Sequence, residues 1–304
     1  MIFRIIKTGL IVCFICLSTN ESFSQTELQA ENFPEITLER TEVRTLHSNI
    51  IGQDFEILIS LPDNYISRDT VFPVIFLLDP YRTFSIVKGY TDVLTSPTPY
   101  IPDVIIVGIG YGGKGSQAML NWALGRTRDF TPVRSIETED SYKDRLAAFG
   151  VTNAVVRTGG AALFLDFIKE ELFPFIQFNY NIDDKVRMLS GYSLSGLFAM
   201  YVLFHEPGLF SKYFIGSPSI HYKDEITFDY ESLYAGKHSD LPAHVFLSAG
   251  ESELRTSKNI KRMEELLRSR KYENLNLKMN IFEEEDHVSC YPAAISRGIL
   301  ELLK

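Results

Sequence analysis

The feature that most constrains this chain is an alternation. Short apolar runs rich in β-branched residues are followed, again and again, by stretches with apolar residues at helical spacing. Residues 71–78 (VFPVIFLL) and 103–109 (DVIIVGI) are continuous runs with no polar alternation, the pattern of strands covered on both faces. Residues 186–189, 213–215, 244–247 and 275–282 read as further strands, and 55–61 alternates like an edge strand ending at Pro62. Between them, 161–176, 197–204, 260–267 and 294–303 have helical spacing; 197–204 is apolar nearly all round, as in a buried helix. Strands alternating with helices predict an α/β fold with a mostly parallel central sheet and helices on both faces. No linker interrupts the pattern, so residues 25–304 are expected to form one domain. Residues 114–158 break the alternation and read as an insertion of loops and short helices, a cap or substrate wall.

The start of the chain has a different logic. Arg4 and Lys7 precede a short apolar core at 10–17, and Ser22 and Ser24 occupy small-residue positions before Gln25. That order is a signal peptide over residues 1–24, removed on export, so a periplasmic or secreted location is expected. The apolar run is short for a bilayer span, and no other stretch suits one, so no stable membrane span is expected. Cys13 and Cys16 follow bulky residues, unlike a lipoprotein signal. Only Cys290 lies beyond the signal, which rules out an internal disulfide, and no Cys/His spacing suits zinc. A formal net charge of −9 repels phosphate backbones, so nucleic acid is not an expected partner.

The chemistry centres on Gly191-Tyr192-Ser193-Leu194-Ser195-Gly196, between a predicted strand and the predicted buried helix. This is the context of a nucleophile elbow: the serine occupies a strained turn, its neighbours must be small, and the following helix N-terminus faces a developing oxyanion. A serine hydroxyl needs a base. Of six histidines, only His287 follows the last predicted strand, where the base stands in the order nucleophile, acid, histidine. The acid belongs after the penultimate strand, in Ser248-Ala249-Gly250-Glu251-Ser252-Glu253. Glu253 is the first candidate, Glu251 the second, and Asp286 a weaker third. The second oxyanion donor belongs after the strand ending Leu77-Leu78-Asp79-Pro80-Tyr81. Pro80 has no N–H, which leaves the N–H groups of Tyr81 and Leu194. Asp79 also reads as a strand-end cap.

Together these blocks resemble the esterase branch of the α/β hydrolases, which includes siderophore (enterochelin and salmochelin) esterases, feruloyl esterases, S-formylglutathione hydrolases and mycolyltransferases. The similarity runs over residues 45–304 and includes IIVGIGY at 105–111, RTRDFTP at 126–132, FLDFIKEELF at 164–173 and Gly216-Ser217-Pro218-Ser219. The siderophore-esterase-like subgroup matches best. The resemblance implies an α/β-hydrolase fold, Ser193 as nucleophile, His287 as base, Glu253 as acid, and Tyr81 and Leu194 at the oxyanion hole, with no metal or organic cofactor. Two positions depart from the family pattern: Pro80 and Ser195 stand where it has glycine.

For the substrate, Tyr81, Phe84, Trp122, Tyr192 and Tyr222 suggest an aromatic wall, and Arg126 and Arg128 suggest contacts to an anion. The competing reading is that the aromatics pack and the Arg-x-Arg-Asp run pairs with itself. The expected function is hydrolysis of a carboxylic ester through an acyl-enzyme. The ester is a small-molecule or glycan-linked one: a siderophore lactone, or an aryl or acetyl ester of plant polysaccharide. A cell-envelope acyltransferase with the same triad and a non-catalytic binding protein are the alternatives. Oligomeric state is left open.

Overall fold

The computed structural model describes residues 37–65, 70–95 and 98–304; the expected signal peptide, residues 1–24, lies outside them. Eight strands form one sheet: β1 (Thr41–Ser48), β2 (Gln53–Ser60), β3 (Phe72–Leu78), β4 (Ile105–Gly110), β5 (Ile182–Tyr192), β6 (Lys212–Gly216), β7 (Asp240–Gly250) and β8 (Glu273–Phe282). Their spatial order is β1-β2-β4-β3-β5-β6-β7-β8. The β1–β2 and β2–β4 pairings are antiparallel; every pairing from β4 through β8 is parallel. The helices are α1 (Pro80–Thr95), α2 (Gly115–Asp129), α3 (Ile136–Ala148), α4 (Ala161–Phe167), α5 (Phe173–Asn179), α6 (Leu194–His205), α7 (Ile226–Ala235), α8 (Leu254–Arg270) and α9 (Cys290–Leu303).

The continuous apolar runs make sense as strands buried on both sides. In β3, Phe72, Val74, Phe76 and Leu78 join a core with residues of α4, α5, α6 and α8, while Ile75 and Leu77 join a second core with α1 and α9. In β4 the same period of two sends Ile105, Val107 and Ile109 to the first core and Ile106 to the second. Helix α6 is buried from Leu194 through Phe204. Residues Leu38–Lys304 form one compact unit.

Several sequence expectations are corrected. Residues 53–60 are not the sheet edge; β1 lies outside them, and its polar sequence TEVRTLHS hid it. The helical stretch 161–176 is three pieces, with a π-helical turn at Ile168–Leu172 between α4 and α5. Pro174 offers no N–H to the turn before it, which favours that break. The π turn directs Glu171 to the β1–β2 hairpin, where it accepts from Ser48 Oγ and the Asn49 N–H. Helices α1 and α7 lack a clear apolar stripe in sequence. The 114–158 insertion is two ordered helices, and α2 packs on α4 and α6.

Chain order places the site. The connection from β3 runs outward to β4, and the chain then returns across β3 to β5. This reversal opens a crevice beyond the carboxyl ends of β3 and β5, where ligands bind in open α/β sheets. On the opposite core, α9 lies close to the sheet. A Cβ on Gly298 would stand 2.3 Å from Phe214 Cδ2 and 3.2 Å from Phe246 Cδ1. Gly298→Ala is therefore expected to overpack this interface and lower stability by about 1–3 kcal/mol, read from urea unfolding.

Candidate active site

Ser193 caps α6 with φ 62° and ψ −118°, a backbone that a non-glycine residue holds only under constraint. Its N–H donates to Gly216 O (2.9 Å), and its carbonyl accepts from the N–H groups of Leu197 (3.1 Å) and Ser219 (2.9 Å). The turn leaves no space at Gly191, where a Cβ would lie 2.2 Å from Ser195 O. Ser195, standing where the family pattern has glycine, is fully buried. Its Oγ accepts from the Tyr192 N–H (2.9 Å) and donates to Tyr192 O (2.8 Å). The departure from glycine thus braces the elbow from inside.

The loop after β8 carries His287. Its Nε2 lies 2.9 Å from Ser193 Oγ and its Nδ1 2.6 Å from Glu253 Oε2. An ionised carboxylate only accepts, so Nδ1 carries the proton and Nε2 presents its lone pair to the serine hydroxyl. Glu253 is itself fixed: Oε1 accepts from Ser217 Oγ (2.6 Å) and from the Gly250 N–H (3.0 Å). Burial raises the Glu253 pKa, but the hydrogen bonds from His287, Ser217 and Gly250 outweigh it, and the group is held below the usual carboxylate value. The other two acid candidates face elsewhere. Glu251 accepts from the Glu284 N–H (3.2 Å), and Asp286 accepts from the N–H groups of Val288 (2.8 Å) and Ser289 (2.9 Å).

Residues 48–292 match the model of the family described as "Putative esterase". The chain belongs to this family. It is 30% identical over 273 residues to the ferri-bacillibactin esterase BesA of Bacillus subtilis, covering 86% of this chain and 89% of that protein. It is also 30% identical over 173 residues to the siderophore triacetylfusarinine C esterase of Aspergillus fumigatus, covering 56% and 52% of the two chains. In three dimensions it resembles the BES protein of Bacillus cereus with a TM-score of 0.73 and 28% identity, covering 90% of this chain and 98% of that one. The chain is a carboxylic ester hydrolase of the α/β-hydrolase fold.

In this esterase, two helices start just beyond the adjacent ends of β3 and β5. Leu194 opens α6, and Tyr81 is the second residue of α1. Their N–H groups lie in first turns, where no intrahelical acceptor exists. A helix N-terminus carries a positive partial charge. Leu77 pairs with Ser190, so the ends of β3 and β5 stand side by side. Pro80 takes the first position of α1, where its fixed φ suits a helix start and its missing N–H costs nothing. Asp79, at φ 54°, is more than a strand-end cap. Its carboxylate accepts from Trp122 Nε1 (2.7 Å) and in bidentate fashion from Arg126 Nε and Nη2 (both 2.9 Å).

Three expected substrate contacts are corrected by these partners. Arg126 is buried and committed to Asp79, tying the Tyr81 loop to α2. Arg128 forks onto Asp129 (2.6 and 2.9 Å) and reaches Gln53. The Tyr192 ring lies 5.3 Å from the His287 ring and edge-on to Tyr291, and its hydroxyl donates to His287 O (2.9 Å). Tyr192 supports the histidine from beneath. Of the proposed aromatic wall, Tyr81, Phe84 and Trp122 share a groove of about 250 Å³, whereas Tyr222 lines the cleft over Ser193, its hydroxyl donating to Val133 O (2.7 Å).

The cleft over Ser193 has a volume of about 540 Å³ and is bordered by α3, by 219–224 and by Arg255. From the 114–158 stretch, Ser135 and residues of α3 line this cleft. Helix α3 is pinned by Glu139, which accepts from Arg134 (3.1 Å twice) and from the N–H and hydroxyl of Thr158 (3.2 and 3.0 Å). Sequence reasoning missed Ser217 as a partner of Glu253, although Gly216-Ser217-Pro218-Ser219 was among the family-like blocks; it also missed the cleft residues Arg145, His221, Lys223 and Arg255, whose loop and helix positions carry no motif. Among the described residues, no group of three or more His, Cys, Asp or Glu side chains is placed to hold a metal, and no helix is long and apolar enough to cross a membrane.

Two measurements follow from these contacts. Glu253→Gln is expected to lower kcat by about 10³- to 10⁴-fold, because the amide no longer fixes the histidine tautomer, while Glu251→Gln leaves kcat nearly unchanged. Hydrogen bonding to Arg134, ahead of that to Thr158, holds the Glu139 carboxyl at about 2 against an ordinary 4.5. Its folded-state pKa is depressed, so its stabilisation is complete above pH 4.5 and is lost as pH falls toward 2. Glu139→Gln should flatten the melting temperature across that window; an unchanged slope would remove Glu139 as the pin of α3.

Proposed function

We propose that this protein is an exported serine esterase that opens the ester bonds of a siderophore lactone through an acyl-enzyme on Ser193. The observation that carries the mechanism is the continuous path from Ser193 Oγ through His287 to Glu253, at 2.9 and 2.6 Å. Ser193 Oγ attacks the ester carbonyl while Nε2 takes its proton. The tetrahedral oxyanion faces the N–H groups of Leu194 and Tyr81. As it collapses, the carbon–oxygen bond of the leaving alkoxide breaks and the imidazolium returns the proton to that oxygen. Water, deprotonated by His287, then attacks the acyl-enzyme and frees the acid. Glu253, charged and hydrogen-bonded, stabilises the imidazolium in both halves.

The substrate class is supported by the two curated relatives named as siderophore esterases. The cleft favours hydrolysis over acyl transfer to an envelope acceptor: it is bordered by serines and charged side chains, whereas transfer calls for a dry acyl channel that excludes water. Export rests on the order of Arg4, Lys7, the apolar core and Ser22 and Ser24 at the start of the chain.

The test is hydrolysis of p-nitrophenyl acetate and of a catecholate trilactone, with and without iron, by the wild type and Ser193→Ala. The variant is expected to lose about 10⁴-fold or more in kcat on every ester that the wild type cleaves while keeping its melting temperature. Activity that survives the substitution would overturn the mechanism; failure to open the trilactone would overturn the substrate.

A further inference from the structure

Lys223, Asp224 and Glu225 follow one another at φ 46°, 55° and 65°. Three consecutive non-glycine residues in the left-handed region are costly, because each Cβ crowds the following carbonyl and such residues otherwise occur singly. Strain of this kind persists only where the surroundings over-determine it. Here they do. The Ile226 N–H reaches the carbonyls of Tyr222 (3.3 Å) and Lys223 (3.2 Å). The Glu225 carboxylate accepts from Asn259 Nδ2 (2.9 Å) and Arg262 Nη1 (2.8 Å), both on α8.

The strained turn lies on the rim of the Ser193 cleft and carries Lys223 and Asp224 there. Arg145 arrives on the same cleft from α3, and Arg255 from the first turn of α8. Among the described residues, none of the three cations has a carboxylate within ion-pairing distance; the Arg145 guanidinium lies over the Tyr142 ring at 5.5 Å. The lining also holds His221 and the carboxylates Glu137 and Asp224, so cations prevail in this cleft although the chain as a whole carries −9. Burial first, and next the charge of Arg255, lower the pKa of His221, while the charge of Glu225 opposes them.

We infer that the left-handed turn 223–225 is a recognition element. It holds Lys223 on the rim so that Lys223, Arg145 and Arg255 together bind a compact substrate with two or more negative charges while its ester reaches Ser193. The inference rests on the Ser193 ester-hydrolase reading and adds the residues that select the substrate. Three cations from three separate elements match a clustered polyanion better than a single carboxylate, which one fork already satisfies. Fixing the turn in advance spares the ordering cost that a mobile loop would incur on binding.

The experiment is competitive inhibition of p-nitrophenyl acetate hydrolysis by ferric tris-catecholate, a trianion with no ester bond. Its inhibition constant is expected to rise about tenfold in Lys223→Gly and in Arg255→Ala, the size of one lost charge-assisted hydrogen bond, and to return in Lys223→Arg. Glycine accepts a positive φ, so Lys223→Gly keeps the turn and does not lower the melting temperature; Arg255→Ala leaves the turn untouched. An inhibition constant unchanged in both variants, or no inhibition of the wild type, would overturn the inference. A trilactone that is not opened would overturn the substrate reading and leave the inhibition result standing.

Discussion

Ser193 holds a backbone conformation that its own side chain disfavours, and the rest of the site depends on the hydrogen bonds that keep it there. At φ 62° the residue turns β5 into α6 within one position, so that Oγ stands above the sheet and the helix N-terminus sits directly behind it. The N–H is held by Gly216, the carbonyl by Ser219 and Leu197, and the interior of the turn by the Ser195 hydroxyl on both polar atoms of the Tyr192 backbone. These bonds require close approach. Gly191 and Gly216 have no room for a Cβ, which would meet Ser195 O at 2.2 Å and Tyr192 Cδ2 at 2.4 Å. The small residues around the serine are thus a consequence of packing, and the strain of the serine is offset by a shell that cannot relax.

The partners of Ser193 come from different strand ends, and the parallel sheet brings them into one place. Ser217 follows β6, Glu253 follows β7 and His287 follows β8. Neighbouring parallel strands end on the same side, so their loops share one rim. Gly250 is pressed against the loop that carries His287, where a Cβ would lie 2.3 Å from Glu285 O, and Tyr192 holds the His287 carbonyl from the elbow side. Glu253 shows how the competing terms resolve. Burial raises the carboxyl's pKa, but three donors hold it below the usual carboxylate value, and a charged acid is what a transient imidazolium needs.

The arginines expected to meet substrate illustrate the same economy. Arg126 and Arg128 stand in a helix beside the cleft, and both are consumed by carboxylates, Asp79 and Asp129. Arg126 fixes Asp79, the residue that leads into α1 and Tyr81, by a bidentate bond. The cations that line the Ser193 cleft lie elsewhere, on α3, on α8 and on the strained turn between β6 and α7. Their distribution over three elements explains why no local motif announces them.

The chain's sequence by itself determined the α/β class, the buried strands, the buried helix and the order in which Ser193, a loop carboxylate and His287 follow one another. Those features are local or directional: apolar periodicity reports burial on one or two faces, and the elbow residues are set by a single turn. Edge strand β1 stayed hidden because half-exposed polar strands carry no apolar alternation, and the π turn because helical spacing is nearly the same across it. Tertiary structure alone decided between Glu253 and the carboxylates Glu251 and Asp286, since all three lie within a few residues of strand ends and only side-chain direction separates them. It alone turned Tyr192, Arg126 and Arg128 from substrate contacts into supports, and gathered Arg145, Lys223 and Arg255 around Ser193. Side-chain partners more than a few residues apart depend on how the elements pack, and packing is a property of the whole sheet rather than of any stretch of sequence.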